Sequence, residues 1–429
     1  MSTVVIAPPA GPVDAVVRVP GSKSVANRAL ICAALAPAGA VSRIENVPGG
    51  DDCAAMVSAL SLCGAWADGA VTGGAFPGDA TALDAGIAGT TSRFLTAAAC
   101  LSATGVTIDG GEPLRRRPMA DLHDALRRLG AEVSPVGNAA AGHLPVRVAR
   151  GNLHGGTVQV RGDVSSQFVS ALMLLAPRLD GGLRIEVEGD LVSRPYVEMT
   201  ARVMSAFGAS VDVKGQVIDV RPVAYGSAHY VVEPDFSSAA FPVMSLAFRP
   251  GRIVLPGLAR ATLQGDSLVL DIARAMGMDV KVEGHDVTVT RAEGAVLRAV
   301  SFDLSDASDL VPAVAVACTN IGGTSRITGV GFIRGKESDR LGDLAAELAK
   351  ARCAVTVEED GLSIAGAAGG PPCDEALATH HDHRLAMSFA LLALGRGHCT
   401  VEDPGVVSKS WPGYFTDMAG VLGSVSGLN

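Results

Sequence analysis

A short polar turn followed by an apolar helix recurs six times along this chain, and no other feature constrains the fold as strongly. The copies read Asn27-Arg28-Ala29-Leu30, Ser92-Arg93-Phe94-Leu95, Ser166-Gln167-Phe168-Val169, Ser238-Ala239-Ala240-Phe241, Ser308-Asp309-Leu310-Val311 and His383-Arg384-Leu385-Ala386. Their first residues lie 65, 74, 72, 70 and 75 positions apart, a step too even for coincidence. A second, amphipathic set of helices is predicted between them, over Met119 to Leu129, Val197 to Phe207, Ser267 to Met276 and Ser338 to Lys350. Several end alike. Leu129-Gly130-Ala131, Phe207-Gly208-Ala209 and Met276-Gly277-Met278 each give a glycine stop followed by a strand.

A chain of 429 residues exceeds the length at which one core stops growing, so six units imply two domains of three. The divide falls near Tyr230 to Pro234, where a short connection would serve as a hinge. Prolines 8, 9, 12 and 20 punctuate the N-terminus, so the first strand is expected to pack on the C-terminal domain before the chain crosses over. The expected boundaries are 19–232 for one domain and 1–18 plus 233–429 for the other, with hinges near 11–20 and 229–234.

Hydrophobic residues make up 48% of the chain and charged residues 18%, which excludes extensive disorder. Aromatics are only 4%, so packing must rely on aliphatic and small side chains, as suits an α/β protein. A net charge of -9 argues against a nucleic-acid partner, whose phosphates call for a basic face. No stretch reaches the roughly 18 uninterrupted apolar residues of a membrane span, and Met1 to Ala10 lack a basic leader, so a cytoplasmic location is expected. Eight scattered cysteines without a Cys-x-x-Cys pair read as reduced, structural thiols.

Six similar helix starts are six places where unpaired N–H groups and a positive dipole end can meet an anion. Basic side chains stand at several: Gly21-Ser22-Lys23-Ser24 with Arg28, Gly89-Thr90-Thr91-Ser92-Arg93, and Arg115-Arg116-Arg117-Pro118. Planar guanidinium suits bidentate capture of phosphate or carboxylate. A serine at a helix start is ordinarily a cap, and an arginine run ordinarily solvated. Several basic turns at one phase of a repeat, in an acidic chain, point instead to small polyanions. Ser165-Ser166-Gln167 adds a dense set of donors, and Lys336-Glu337-Ser338-Asp339-Arg340 is expected to open a helix.

His380-His381-Asp382-His383-Arg384 resembles a metal site only superficially: adjacent imidazoles diverge, and Arg384 would repel a cation. If Lys23, Arg93, Arg117, Arg340, Arg384 and Lys409 converge, they neutralise two phosphates and two carboxylates held together. Asp309 and Glu337 then become candidates for proton transfer, with a helix-capping role for Asp309 left open.

These motifs, with Arg116-Arg117-Pro118, Ser193-Arg194-Pro195-Tyr196, Asp382-His383-Arg384 and Ser408-Lys409, resemble in order and over nearly the whole chain those of the 5-enolpyruvylshikimate-3-phosphate synthase family of enolpyruvyl transferases. The resemblance implies an α/β (α+β) fold of two domains, each built from three βαβαββ units, the inside-out α/β barrel of that family. It implies that Ser22, Lys23, Ser24, Arg28, Ser165, Ser166, Gln167, Ser193, Tyr196, Asp309 and Lys336 meet shikimate-3-phosphate. Lys23, Gly89, Arg93, Arg117, Gln167, Arg340, Arg384 and Lys409 would hold phosphoenolpyruvate. Asp309, Glu337, Lys23 and His383 would move protons, in a monomer needing no metal and no cofactor. Gly89 matches the form associated with sensitivity to glyphosate. Two positions depart from the pattern: Ile87 and Phe332 stand where relatives carry hydrogen-bonding side chains. The runner-up reading is the transferase acting on UDP-N-acetylglucosamine, but Gly111 to Pro118 lack the cysteine of its loop. An RNA 3'-phosphate cyclase is disfavoured by the acidic balance.

Overall fold

In the computed structural model, which describes residues 2–259 and 262–428, every one of the six apolar runs forms helix. They are Lys23–Ala34, Gly89–Ala99, Ser166–Leu175, Phe236–Ser245, Val311–Cys318 behind a 3-10 turn at Ser308–Leu310, and His383–Arg396. Most of their residues are buried, with the polar ones gathered mainly toward the helix starts; Val311–Cys318 is buried at each position.

The chain divides into two compact units, Gly21–Val232 and Met1–Pro20 with Glu233–Asn429. In the first, the Gly89–Ala99 and Ser166–Leu175 helices pack on one another and on Lys23–Ala34. In the second, the Phe236–Ser245, Val311–Cys318 and His383–Arg396 helices do the same. Each unit thus has an interior of three buried helices. Amphipathic helices such as Ala120–Arg128, Pro195–Ala206 and Leu268–Met276 and the sheets supply the rest of the core.

Among the described residues, five four-stranded sheets share one topology: an outer strand runs parallel to its neighbour, and the next two pair antiparallel. The sheet of Gly156–Arg161, Leu183–Glu188, Val217–Val220 and Val211–Lys214 is an example. In the first sheet of each unit the parallel outer strand comes from a distance, His229–Val231 beside Val41–Glu45 and Val13–Val16 beside Gly251–Leu255. The last repeat closes differently, because after Cys399–Glu402 the chain folds into two short helices instead of a hairpin. Thr3–Ala7 then fills in between Cys399–Glu402 and Ser424–Ser426 as an antiparallel three-stranded sheet.

Gly130, Gly208 and Gly277 adopt φ of 86°, 86° and 103°, the left-handed stop that frees the chain to start the next strand. One expected helix is shorter than its periodicity suggests. The span Ser338 to Lys350 is helical only over Gly342–Lys350, because Asp339 Oδ1 accepts from the N–H groups of Leu341 and Gly342 (3.1 and 2.9 Å) and caps the helix late. The Lys336-Glu337-Ser338-Asp339-Arg340 segment therefore precedes the helix and does not open it, which frees Glu337 and Arg340 to turn inward.

Leu391 is fully buried among the central helices of its unit. Leu391→Ala is expected to lower the unfolding free energy by about 2–5 kcal/mol, measured by denaturant titration.

Candidate active site

In the Gly21–Val232 unit the helix starts cluster through side-chain contacts. Asn27 Nδ2 donates to Thr91 Oγ1 at 3.3 Å, and Arg28 Nη2 to Ser170 Oγ at 3.1 Å, tying the three central helices together near their N-termini. Lys23, the first residue of its helix, pairs with the buried Asp52 at 2.7 Å. Ser22 occupies the N-cap position but makes no capping bond, and its buried hydroxyl has no hydrogen-bond partner among the described residues. The buried Oε1 of Gln167 is in the same position. Polar atoms left so in a folded interior are costly unless something else arrives to satisfy them.

Arg28 is enclosed, with Phe94 and Tyr196 rings 5.2 and 5.8 Å from its guanidinium. It donates to Thr200 Oγ1, Ser170 Oγ and the carbonyls of Ser24 and Tyr196. Burial lowers its pKa to about 10, since neutral oxygens alone solvate the cation. Ser165 caps the third central helix, accepting from Gln167 N at 3.3 Å, and Ser166 begins it. Ser193 sits at φ 55° just before the Pro195–Ala206 helix that carries Tyr196.

The arginine run splits. Arg115 pairs with Asp109 at 2.7 Å and Arg116 with Glu112 at 3.4 Å on the surface, while Arg117 turns toward Gly89. A Cβ added at Gly89 would lie 2.6 Å from Arg93 Nη1 and 2.7 Å from Arg117 Nη1, so two guanidiniums close over the bare backbone of that residue. Arg93 is also stacked over Phe168 at 5.4 Å. Only glycine fits here without displacing both cations.

The second unit gathers the remaining candidates around Arg340, which is 1% exposed. Its Nε meets Asp382 Oδ2 at 2.7 Å, Nη1 meets Asp309 Oδ1 at 2.7 Å, and Nη2 meets Glu337 Oε2 at 3.0 Å. Burial opposes the charge, yet Asp382, Glu337 and Asp309 together hold the guanidinium pKa well above its ordinary value. Arg384 Nη2 takes the other oxygen of Asp309 at 2.8 Å. For Arg384 too, burial works downward and Asp309 leads the groups that raise its pKa overall. Lys336 lies 3.9 Å from Asp309, and Lys409 3.5 Å from Glu337. Asp309 thus spends its oxygens on arginines, which weighs against a capping role. Phe332 lies 5.8 Å from the Lys336 ammonium, so the apolar departure there lends its ring face to a cation. Ile87 is partly exposed, its side chain lying beside Gly111.

The three neighbouring imidazoles go separate ways. His380 Nε2 meets Glu347 at 3.0 Å, His381 faces Asp403 at the surface, and His383 is buried with Nδ1 3.5 Å from Asp382.

Sequence reasoning missed Asp52 and Asp382 as members of these clusters. Asp382 accepts from Arg384 N at 2.9 Å as the cap of the last central helix while holding Arg340. Its place immediately before His383, at the phase of the other helix starts, was the available signal. Asp52 carried none beyond its place in the first turn of a helix behind Gly49-Gly50.

Solved structures with this fold include an EPSP synthase from Acinetobacter baumannii, 25% identical with a TM-score of 0.82 and covering 99% of both chains. The enolpyruvyl transferase NikO from Streptomyces tendae, 18% identical, superposes with a TM-score of 0.76 over 99% of this chain and 98% of its own. The fold class is that of the enolpyruvyl transferases. The family model described as EPSP synthase (3-phosphoshikimate 1-carboxyvinyltransferase) matches residues 8–418, and the chain belongs to that family. Similar curated proteins named 3-phosphoshikimate 1-carboxyvinyltransferase include one from Methanothermobacter thermautotrophicus, 39% identical over 94% of this chain and 95% of the relative. Another, from Klebsiella pneumoniae, is 35% identical over 96% and 97%.

Removing one partner from a buried ion pair strands the other. Asp382→Ala should therefore destabilise the protein by about 3–5 kcal/mol in chemical denaturation, with Asp382→Asn losing less because the amide oxygen still accepts from Arg340.

Proposed function

We propose that this chain transfers the enolpyruvyl group of phosphoenolpyruvate to the 5-hydroxyl of shikimate-3-phosphate and releases phosphate. The observation that carries the reading is the pair of carboxylates, Asp309 and Glu337, bridged by the buried Arg340 and flanked by Lys336, Arg384 and Lys409, in a chain of the EPSP synthase family. A site built only to hold anions has no use for two inward carboxylates.

In this reading Asp309 takes the proton of the attacking hydroxyl, and Glu337, with Lys23 or His383, serves proton transfer at the methylene carbon of the donor. Arg93, Arg117, Arg340, Arg384 and Lys409 with Gly89 hold the donor's phosphate and carboxylate, drawing charge toward the leaving group. Lys23, Ser22, Ser24, Arg28, Ser165, Ser166, Gln167, Ser193, Tyr196, Asp309 and Lys336 receive the acceptor. The unpartnered Ser22 hydroxyl and Gln167 oxygen support this, since a sugar-like ligand would satisfy them. Arg28 already donates to four groups of the fold, which supports a role centred on shaping the acceptor wall. Arg340 and Arg384 hold Asp309, so an anionic ligand that competes for these cations would loosen that grip and return basicity to the carboxylate.

The proposal extends to a monomer that works in the cytoplasm and hinges near 11–20 and 229–234. The cysteines are buried and form no disulfide among the described residues, in keeping with a reducing compartment, and no helix among the described residues is long and apolar enough to cross a membrane.

The deciding experiment is phosphate release from phosphoenolpyruvate by chelator-treated protein, with shikimate-3-phosphate or UDP-N-acetylglucosamine as acceptor. Release with the former alone is expected; release only with the latter, or none, removes the assignment. Asp309→Ala should lower kcat roughly 100- to 10,000-fold, far more than it lowers ligand affinity. Gly89→Ala should instead raise the KM for phosphoenolpyruvate about tenfold or more by pushing Arg93 and Arg117 aside, with melting temperature nearly unchanged.

A further inference from the structure

Behind Asp309 lies a second carboxyl that the mechanism above does not use. Asp266 belongs to a 3-10 turn, Gly265–Ser267, which packs against the Ser308–Leu310 turn carrying Asp309 and against the start of the Phe236–Ser245 helix. It is 3% exposed. Ser237 Oγ donates to Oδ2, while Oδ1 is buried without a hydrogen-bond partner among the described residues.

The turn is held firmly. Gln264 accepts from Phe236 N at 2.9 Å and donates to Glu233 Oε1 at 2.7 Å and Pro234 O at 2.8 Å. Asp235 caps the same helix, accepting from Ser238 N at 2.9 Å and Ser238 Oγ at 2.6 Å, and so is already engaged. A carboxylate has about four acceptor sites, and here one donor serves Asp266. For filling space, an asparagine would do as well without the cost of a buried charge.

Burial first, then the charge of Asp309, raises the Asp266 pKa to about 7; Ser237 and Arg384 pull the other way, and Asp235 adds to the rise. Two carboxyls that feel each other in a dry wall do not ionise independently. Asp309 alone would make a weak base, because Arg340 at 2.7 Å, Arg384 at 2.8 Å and Lys336 at 3.9 Å all favour its anion. A neighbouring negative charge raises its proton affinity, in addition to what a competing anionic ligand returns.

We propose that Asp266 is a positioning residue for the hydroxyl proton transfer: it shares a buried negative charge with Asp309 across the two packed turns and sets the proton affinity of Asp309. The proposal rests on the enolpyruvyl-transfer reading. In the step concerned, the acceptor's O–H bond breaks, its proton passes to the Asp309 carboxylate, and the oxygen's electron pair forms the new C–O bond. Ionised Asp266 favours that transfer by repulsion, and protonation of Asp309 then relieves it.

The test compares wild-type protein with Asp266→Asn across pH 5.5 to 9 at saturating substrates. Wild-type kcat should rise through a limb near pH 7 as Asp266 ionises; the variant should lack that limb and be about tenfold slower at pH 8, with both KM values changed less than about threefold. An unchanged limb with unchanged kcat overturns the proposal. Should Asp266→Asn fail to fold, Ser237→Ala removes the one donor to the carboxyl and must move the limb to higher pH; a limb that stays put overturns it equally.

A readout independent of turnover separates this proposal from the assigned reaction. Carboxyl carbon-13 NMR should show Asp266 titrating near 7, with a lower midpoint in Asp309→Asn, whether or not shikimate-3-phosphate is the acceptor. A midpoint unmoved by Asp309→Asn ends the proposal even where phosphate release succeeds. Stability gives the same sign: a carboxyl whose folded pKa exceeds its ordinary 3.8 loses stabilisation as pH rises through about 7. Relative to Asp266→Asn, the wild-type melting temperature should therefore fall as pH rises from about 4 to about 7 and level off above.

Discussion

Arg340 makes three ion pairs in a nearly water-free interior, with Asp382, Asp309 and Glu337, and the C-terminal cluster is organised by them. A buried guanidinium is tolerable only when its fork is matched by well-placed acceptors, and its planar geometry dictates where those acceptors must stand. The three carboxylates come from three places in the chain: a 3-10 turn, a loop ahead of a helix, and a helix cap. Holding them fixes the relative positions of the helix starts in that unit. The arrangement also stores Asp309 and Glu337 beside cations, ready for exchange when an anionic ligand competes for those cations.

The other unit solves a similar problem with fewer acids. Arg28 is solvated by hydroxyls and carbonyls between two aromatic rings, and Lys23 leans on Asp52. Arg93 and Arg117 meet over a glycine, where no side chain can come between them. Small residues at helix starts thus do two jobs here: they let helices approach closely, and they leave backbone N–H groups and neighbouring cations open to a ligand. The cost is a set of polar atoms, including Ser22 Oγ and Gln167 Oε1, that the fold alone does not satisfy.

Much of this is legible in the sequence. The even spacing of apolar runs marks the six central helices because a helix buried on most sides needs a largely apolar run, and the glycine stops mark where strands begin. The segment from Lys336 to Arg340 reads as a helix start and precedes the helix instead, because Asp339 caps the following turn. In the run Arg115-Arg116-Arg117, three identical side chains part company according to which way one short helix points. The ion pairs of Asp52 and Asp382 and the buried place of Asp266 are not legible in the sequence, because an aspartate near a helix start is usually a cap, and only packing reveals a second partner.

The sequence by itself determined the repeat, the class of fold and the residue types that meet small anions, because periodicity and helix-start chemistry are local properties written into consecutive residues. The tertiary structure alone decided which cation faces which carboxylate, and which polar atoms are left for a ligand. Those depend on side chains many residues apart converging at a few ångströms, and on burial making each unmatched charge expensive.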